Sequence, residues 1–188
     1  MGILQRFFGF RQIDSAAKHY QKGFQLGKQE KWPEAAAEFT RALHISPTLV
    51  QARYSRGCTY FQMEEWDQAI RDFSTVIESN PRQVEALVNR ASAAVFKAKD
   101  LAERYFKSGG KQYQLTFEEL NMPTGQLLRS ISPEKALWIR TNDATMELQL
   151  SAKRDAEAAL KLDPKNVPAR QWLGDLARIW QDNSPNEG

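Results

Sequence analysis

The sequence has few of the residues from which catalytic and metal sites are built. Its 188 residues include one cysteine, Cys58, and two histidines, His19 and His44. A single cysteine excludes a disulfide within the chain and favours a reducing compartment. Neither histidine has Cys, Asp or Glu at the spacing of metal ligands. Because the chain also lacks a glycine-rich phosphate loop and the HExxH, CxxC and GxSxG patterns, we expect no enzyme activity, no metal and no cofactor.

Long apolar runs and a strong charge bias are also missing. No stretch of about 18 apolar residues occurs, so no helix is expected to span a membrane, and no secretory signal is apparent. The net charge is +3, and basic and acidic residues are interleaved over most of the chain. This pattern does not indicate a nucleic-acid partner. We expect a cytoplasmic protein.

What the sequence does contain is a helical pattern, seen best in residues 50–81. Large and small apolar residues recur there at spacings of three and four in two segments, separated by a short turn at 64–66. This spacing predicts two antiparallel helices that pack face to face. The apolar residues are Tyr54, Gly57, Tyr60 and Phe61 in the first segment and Ala69, Phe73, Val76 and Ile77 in the second.

The pattern repeats at a fixed period of about 34 residues, which indicates a helical repeat array. Small residues let the two helices of one unit approach, and the aromatic residues fill the space between neighbouring units. The matching residues are Gly57, Tyr60, Ala69, Phe73 and Pro81 in the central unit and Gly23, Ala35, Phe39, Ala42 and Pro47 in the preceding one. The chain thus resembles the tetratricopeptide repeat family. The resemblance implies an all-α fold, a right-handed solenoid of antiparallel helix pairs, and a role in binding proteins.

The third unit departs from the pattern. Pro81 and Pro164 occupy matching places in the repeat, yet the chain between them is much longer than one period. We therefore expect an inserted arm, within which residues 111–120 could be a strand or a loop followed by a short helix near Thr116. The predicted boundaries are 1–13 for an apolar N-terminal segment, 14–181 for a single repeat domain, 16–49 for repeat one, 50–83 for repeat two, 84–97 plus 151–166 for repeat three, 167–181 for a C-terminal capping helix, 98–150 for the insertion and 182–188 for a flexible tail.

The resemblance places the first helix of each unit on a concave groove. An aromatic and apolar groove suits an amphipathic helix or an extended peptide of a partner protein. It could also be filled by the chain's own insertion or leading segment, or form a contact between two copies of the chain. The predicted groove residues are Tyr20, Phe24, Tyr54, Cys58, Phe61, Val88, Ser92 and Val95.

Some members of the family grip the carboxylate end of chaperones with two Lys, two Asn and one Arg. None of the matching positions here is positively charged, and Glu85 would repel a carboxylate. The resemblance therefore does not imply a chaperone carboxylate as partner. The matching residues are Tyr20, Phe24, Ser55, Glu85 and Asn89.

The leading segment combines Phe7, Phe8 and Phe10 with Arg6 and Arg11. It could cap the first repeat, dock on a partner, or lie on a membrane surface. Our main prediction is a non-catalytic scaffold that binds a protein or peptide in the groove. The alternative is a peripheral membrane-associated assembly factor that this segment anchors.

Overall fold

The computed structural model describes residues 2–182, with side chains described for 14–116, 118, 119 and 121–178. This part of the chain is all-α, with no strand assigned in it. The predicted fold class is confirmed. The helices are α1 Gly2–Lys28, α2 Trp32–Ile45, α3 Val50–Gln62, α4 Trp66–Ser79, α5 Val84–Lys107, α6 Phe117–Leu120, α7 Thr124–Ser130, α8 Pro133–Leu162 and α9 Val167–Asp182.

The helices stack as antiparallel pairs in chain order. Helices α1 and α2, α3 and α4, and α5 and α8 pack against each other as pairs. Helix α3 also packs on α2, and α5 on α4, so each pair rests on the one before it. Helix α9 closes the stack against α8 and α5. An array of this kind buries a continuous apolar seam that no single pair could bury alone.

A glycine opposite a phenylalanine sets the spacing in the first two pairs. A Cβ atom added to Gly23 would lie 2.9 Å from the ring of Phe39, and one added to Gly57 would lie 2.9 Å from the ring of Phe73. Both rings are buried in the core. The two glycines therefore occupy equivalent places in successive helix pairs, as the repeat period in the sequence predicts.

An ion pair to a buried carboxylate is repeated alongside these contacts. The Arg56 guanidinium donates from Nε and Nη2 to the two carboxylate oxygens of Asp72, both at 2.8 Å. Its Nη1 also donates to Thr40 Oγ1 on α2 at 3.1 Å. In the first pair Lys22 lies 2.8 Å from Glu38, at the same places in the repeat. Arg56 thus joins its own pair to the preceding one.

The same arrangement recurs between α5 and α8. Arg90 donates to both carboxylate oxygens of Asp155 at 2.7 Å and to Ser74 Oγ on α4 at 3.0 Å. The partners Arg90 and Asp155 are 65 residues apart, whereas Arg56 and Asp72 are 16 apart. This difference equals the number of residues by which the interval from Pro81 to Pro164 exceeds one repeat period. These contacts pair the start of α5 with the end of α8, and the insertion itself stays a prediction.

Helices α5 and α8 extend together beyond the other pairs. They have 24 and 30 residues, whereas α2, α3 and α4 have 13 or 14. Ser132 caps α8 by accepting a hydrogen bond from the Lys135 backbone N–H at 3.2 Å, and Pro133 fits the first turn because it has no N–H to satisfy. The long α8 therefore begins at a well-defined residue.

The chain between α5 and α8 contains a loop and two short helices. Residues 111–116 have no regular structure, and α6 follows, so the loop-and-helix alternative for 111–120 is the one observed. Thr116 and Glu119 form a reciprocal cap at the start of α6. Lys135 then ties Glu119 to α8 at 2.7 Å.

Helix α9 covers the last pair. Leu176 is 1% exposed and packs with Ala91, Ala94 and Ala152. The α9 side chains thus fill space on a surface that would otherwise be an open end of the array. Within residues 2–182 no helix combines the length and the hydropathy that crossing a bilayer requires.

Candidate functional site

The first helix presents two of the predicted groove residues. Tyr20 is half-buried, with its ring centroid 5.8 Å from that of Phe39 and 6.5 Å from that of Phe24. Phe24 is 47% exposed, and the Lys28 ammonium lies 4.8 Å from its ring centroid. The core therefore holds Tyr20 in place, while Phe24 offers an accessible ring face.

Tyr54 and Cys58 form a small polar group with Asn89. The Asn89 side-chain amide donates to the Tyr54 hydroxyl at 2.9 Å and lies 3.7 Å from Cys58 Sγ. Burial raises the pKa of the Cys58 thiol, and burial together with the nearby Cys58 raises that of the Tyr54 hydroxyl. Both groups are therefore neutral at neutral pH. Cys58 has the chemistry of a buried thiol rather than that of an activated nucleophile.

The predicted groove residues on α5 differ in their accessibility. Val88 is buried with Ala156 on α8 and Ala169 on α9. Ser92 is also buried, and its hydroxyl donates to the Val88 carbonyl at 2.9 Å. Val95 is partly buried. Because both are buried, Val88 and Ser92 have almost no surface for a partner, and we leave them out of the proposed binding surface.

Four aromatic rings from different elements meet at the end of α3 and form what we call the aromatic cluster. Trp66 stacks on Phe96 with ring centroids 5.4 Å apart and an interplanar angle of 16°. Phe61 meets both rings edge-on, at 5.2 Å from Trp66 and 5.7 Å from Phe96. Trp172 of α9 meets Phe96 edge-on at 5.8 Å. Phe96 is nevertheless 38% exposed, so the aromatic cluster reaches the surface.

Only one member of the aromatic cluster, Phe61, was among the predicted groove residues. Trp66 belongs to the turn in the sequence pattern, and Trp172 lies on a helix expected to serve as a cap. Phe96 stands one residue beyond Val95, so it points to a different side of the same helix. The spacing of residues within one helix carries no signal for a cluster built from four helices.

The aromatic cluster borders a negatively charged turn. Glu64, Glu65 and Asp67 surround Trp66 in the sequence, and all three are exposed. Lys97 Nζ lies 2.5 Å from Asp67 Oδ1 and neutralises that carboxylate. Glu64 has a positive φ of 58°, which turns the chain between α3 and α4. Glu64 and Glu65, which directly precede Trp66 in the chain, keep this exposed turn negatively charged.

Two further expectations concern metal binding and the leading segment. No three His, Cys, Asp or Glu side chains come together as a metal site would need in the described part of the chain. The backbone of residues 2–13 continues α1. The side chains of Phe7, Phe8 and Phe10 lie outside the described residues, so their contact with a membrane or a partner stays a prediction.

Comparison with known proteins agrees with this architecture. Residues 54–107 match the family profile described as tetratricopeptide repeat. No curated protein gives a significant match. Among solved structures, the first tetratricopeptide domain of Spaghetti (RPAP3), bound to the HSP90 peptide SRMEEVD, has a TM-score of 0.59 and 18% identity, and the match covers 89% of this chain and 94% of that one.

Two further structures are similar. The C-terminal tetratricopeptide domain of a Plasmodium falciparum putative FK506-binding protein has a TM-score of 0.60 and 13% identity, with 93% of each chain covered. The second such domain of human RPAP3, in complex with the HSP70 peptide SGPTIEEVD, has a TM-score of 0.56 and 18% identity, with 90% of this chain and 98% of that chain covered. At these identities the likeness shows the fold. The family match adds that residues 54–107 have the sequence pattern of a tetratricopeptide repeat.

Proposed function

We propose that the chain is a non-catalytic scaffold that binds a peptide or helix of a partner protein on the accessible aromatic side chains of α1, α3 and α5. Tetratricopeptide domains are interaction scaffolds, and two of the similar structures hold peptides. The observation that carries the proposal is a surface of rings from successive helices that the core leaves partly exposed. These residues are Tyr20, Phe24, Tyr54, Phe61 and Phe96.

The energetics of such a surface favour a partner. Aromatic side chains supply a large contact area with few rotatable bonds, and they dominate binding energies when a partner buries them. Tyr20 and Tyr54 are already held by contacts with Phe39 and Phe73, so little conformational entropy is lost when a partner covers them. The neutral hydroxyl of Tyr54 and the amide of Asn89 provide polar groups among these rings.

The peptides in two of the similar structures end in acidic residues, and this chain is poorly suited to such a ligand. Glu85 is negatively charged, and the Asn89 amide is already engaged by Tyr54. None of the five positions that match the chaperone clamp carries a positive charge. The expected result of titrating the peptide SRMEEVD is no binding at micromolar concentrations. A micromolar dissociation constant would overturn this part of the proposal.

The proposal is tested by capture of partners with a variant of the groove. Tyr54→Ala combined with Phe61→Glu removes two rings and introduces a charge on α3. The matched control is Phe106→Glu, which replaces an aromatic residue that is 54% exposed on the extended part of α5. We expect the double variant to lose its captured proteins and the control to keep them, with both retaining wild-type helical content. An unchanged set of captured proteins would contradict the proposal.

A further inference from the structure

The aromatic cluster has a local charge opposite in sign to that of the whole protein. The chain has a net charge of +3, yet the turn beside Trp66 contributes Glu64, Glu65 and Asp67. Lys97 offsets only Asp67. Among the described side chains, Glu64 and Glu65 have no ion-pair partner, and both are exposed. A ligand of this surface therefore meets rings and uncompensated carboxylates together.

This combination suits a cation with an apolar stem. The face of an aromatic ring attracts a cation because of its quadrupole, and tryptophan does so most strongly. The methylene stem of Arg or Lys can pack along the rings while its charged head reaches carboxylates at the rim. In the aromatic cluster, Phe96 is partly exposed where it stacks on Trp66, and Glu64 and Glu65 of the adjoining turn provide the acceptors.

The equivalent turn of the first helix pair lacks this combination. Trp32 stands one repeat period before Trp66. Gly27 stands one period before Phe61, and a Cβ atom added to it would lie 3.8 Å from the Trp32 ring. Lys31 stands one period before Glu65. The first turn thus has the tryptophan without the other rings and with a basic residue beside it. Trp32 is therefore a matched control inside the same molecule.

We propose that the aromatic cluster and the carboxylates of Glu64 and Glu65 bind a cationic side chain, Arg or Lys flanked by apolar residues, in the partner segment that occupies the groove. This inference rests on the proposed function and names the chemistry of its partner. The charge complementarity between an acidic turn and a basic side chain favours this occupant over an acidic segment, which the turn would repel. A purely apolar segment would pack on the rings but form no ion pair with the carboxylates.

The test uses short acetylated and amidated peptides of sequence Leu-Leu-X-Leu-Leu, in which X is Arg, Gln or Glu. Binding to the full chain is followed by fluorescence polarisation of a labelled peptide at low salt. We expect the Arg peptide to bind roughly three to ten times more tightly than the Gln peptide, and the Glu peptide to bind most weakly. Raising the salt concentration should reduce the preference for Arg, because the exposed carboxylates are then screened.

Variants assign this preference to the site. Trp66→Leu should abolish most of the binding, while Trp32→Leu should leave it within a factor of two. Replacing Glu64 and Glu65 by Gln should bring the Arg and Gln peptides to similar affinity while preserving binding of the Gln peptide. Equal affinity of the Arg and Gln peptides for the wild-type chain would overturn the inference, as would an equal loss from Trp32→Leu and Trp66→Leu, or no binding of any peptide.

The outcomes separate this inference from the proposed function. If the Tyr54→Ala/Phe61→Glu variant loses its captured partners but no peptide shows a preference for Arg, the groove stands and the cationic ligand is excluded. If light scattering shows a dimer that Trp66→Leu dissociates, the occupant is a second copy of this chain, and the inference is also overturned. If the preference for Arg is observed but the capture of partners is unchanged in the groove variant, the proposed function fails instead.

Discussion

The second and third helix pairs solve the same packing problem with different residues. In the second pair Gly57 lies against the ring of Phe73, which is fully buried. The corresponding residues of the third pair are Ala91 and Ala156, which are also fully buried. Two alanines thus replace a glycine and a phenylalanine. The volume that an aromatic ring fills in the second pair has to be filled by other side chains in the third.

Helix α9 supplies those side chains. Leu176 packs with Ala91, and Trp172 and Leu173 pack against the cluster that contains Ala156. The ring of Phe73 thus shares its cluster with Ala93 of the following helix α5, whereas Ala91 and Ala156 share theirs with α9. The comparison teaches that the helix at the end of the array does more than shield it from water, because it completes the packing of the pair before it.

The two pairs also differ where the first helix should end. The chain turns at Glu64, and at the equivalent Glu30 of the first pair, with φ of 58° at both residues. The residue one repeat period after Glu64 is Ala98, which is buried in the middle of α5. Because Ala98 is small, apolar and packed, α5 continues as a helix and forms the extended pair with α8. The third pair therefore has no turn equivalent to the acidic turn beside Trp66.

The largest expected effect comes from removing the ring that distinguishes the two pairs. Phe73→Ala should lower the free energy of unfolding by about 3–5 kcal/mol, because the cavity lies in a rigid core. Ala156→Gly removes a single methyl group from the equivalent place and should cost about 1 kcal/mol, mainly through helix propensity. Urea unfolding followed by circular dichroism measures both. Similar costs for the two substitutions would contradict the assignment of different cores.

Most of this fold could be predicted from the sequence, but less of the site could be. The Gly and Phe that recur at one fixed period predict the first two pairs, because a close approach of helices needs a small residue opposite a large one. The aromatic cluster was missed because Phe61, Trp66 and Phe96 come from separate helices. Val88 was predicted to be accessible because its helical spacing is that of Tyr54, and spacing alone does not show that α9 covers it.

The second largest effect tests the ion pairs that the two regions share. Asp155→Asn removes one charge from a nearly buried pair and leaves Arg90 partly uncompensated, so we expect a loss of about 3 kcal/mol. Asp72→Asn should cost a similar amount, since Arg56, like Arg90, donates to a carboxylate of its own pair and to a hydroxyl of the preceding one. Chemical unfolding of both variants measures the losses. A cost for Asp155→Asn below one third of that for Asp72→Asn would show that the third pair is not held in the same way.

The first pair adds a dependence on pH. Burial by itself raises the pKa of Glu38, but hydrogen bonds from Lys22 and His19 and the charges of Lys22 and Arg41 outweigh it and hold the pKa at about 2. The usual value is about 4.3, so this carboxylate stabilises the folded state fully above about pH 5. The stabilisation is lost as the pH falls from there towards 2.

Glu38→Gln isolates that contribution. We expect the free energy of unfolding of the wild-type chain to exceed that of the variant by about 2 kcal/mol at pH 7, a value reduced because Lys22 and Arg41 are exposed to solvent. The difference should shrink steadily between pH 5 and pH 2. A difference that stays constant over this range would mean that Glu38 does not act through its charge.

The smallest effect concerns the glycine itself. Gly57→Ala should cost about 1–2 kcal/mol, because the new methyl group would lie 2.9 Å from the Phe73 ring, and this strain exceeds the gain in helix propensity. In the Phe73→Ala background the same substitution should become neutral or stabilising. A double-mutant cycle measures the coupling. Additive effects would show that Gly57 is not there to accommodate the ring.

The central structural claim is that α5 and the end of α8 form one helix pair of the same kind as α3 and α4, separated in sequence by the extended arm. It is tested most directly by deleting residues 99–147 and grafting the Glu64–Glu65 dipeptide over Ala98 and Leu148, then measuring amide hydrogen exchange. The account predicts strong protection of residues 84–96 and 151–162 in the shortened chain, close to that of 50–62 and 66–79. Rapid exchange in these two segments, with the first two pairs still protected, would contradict it.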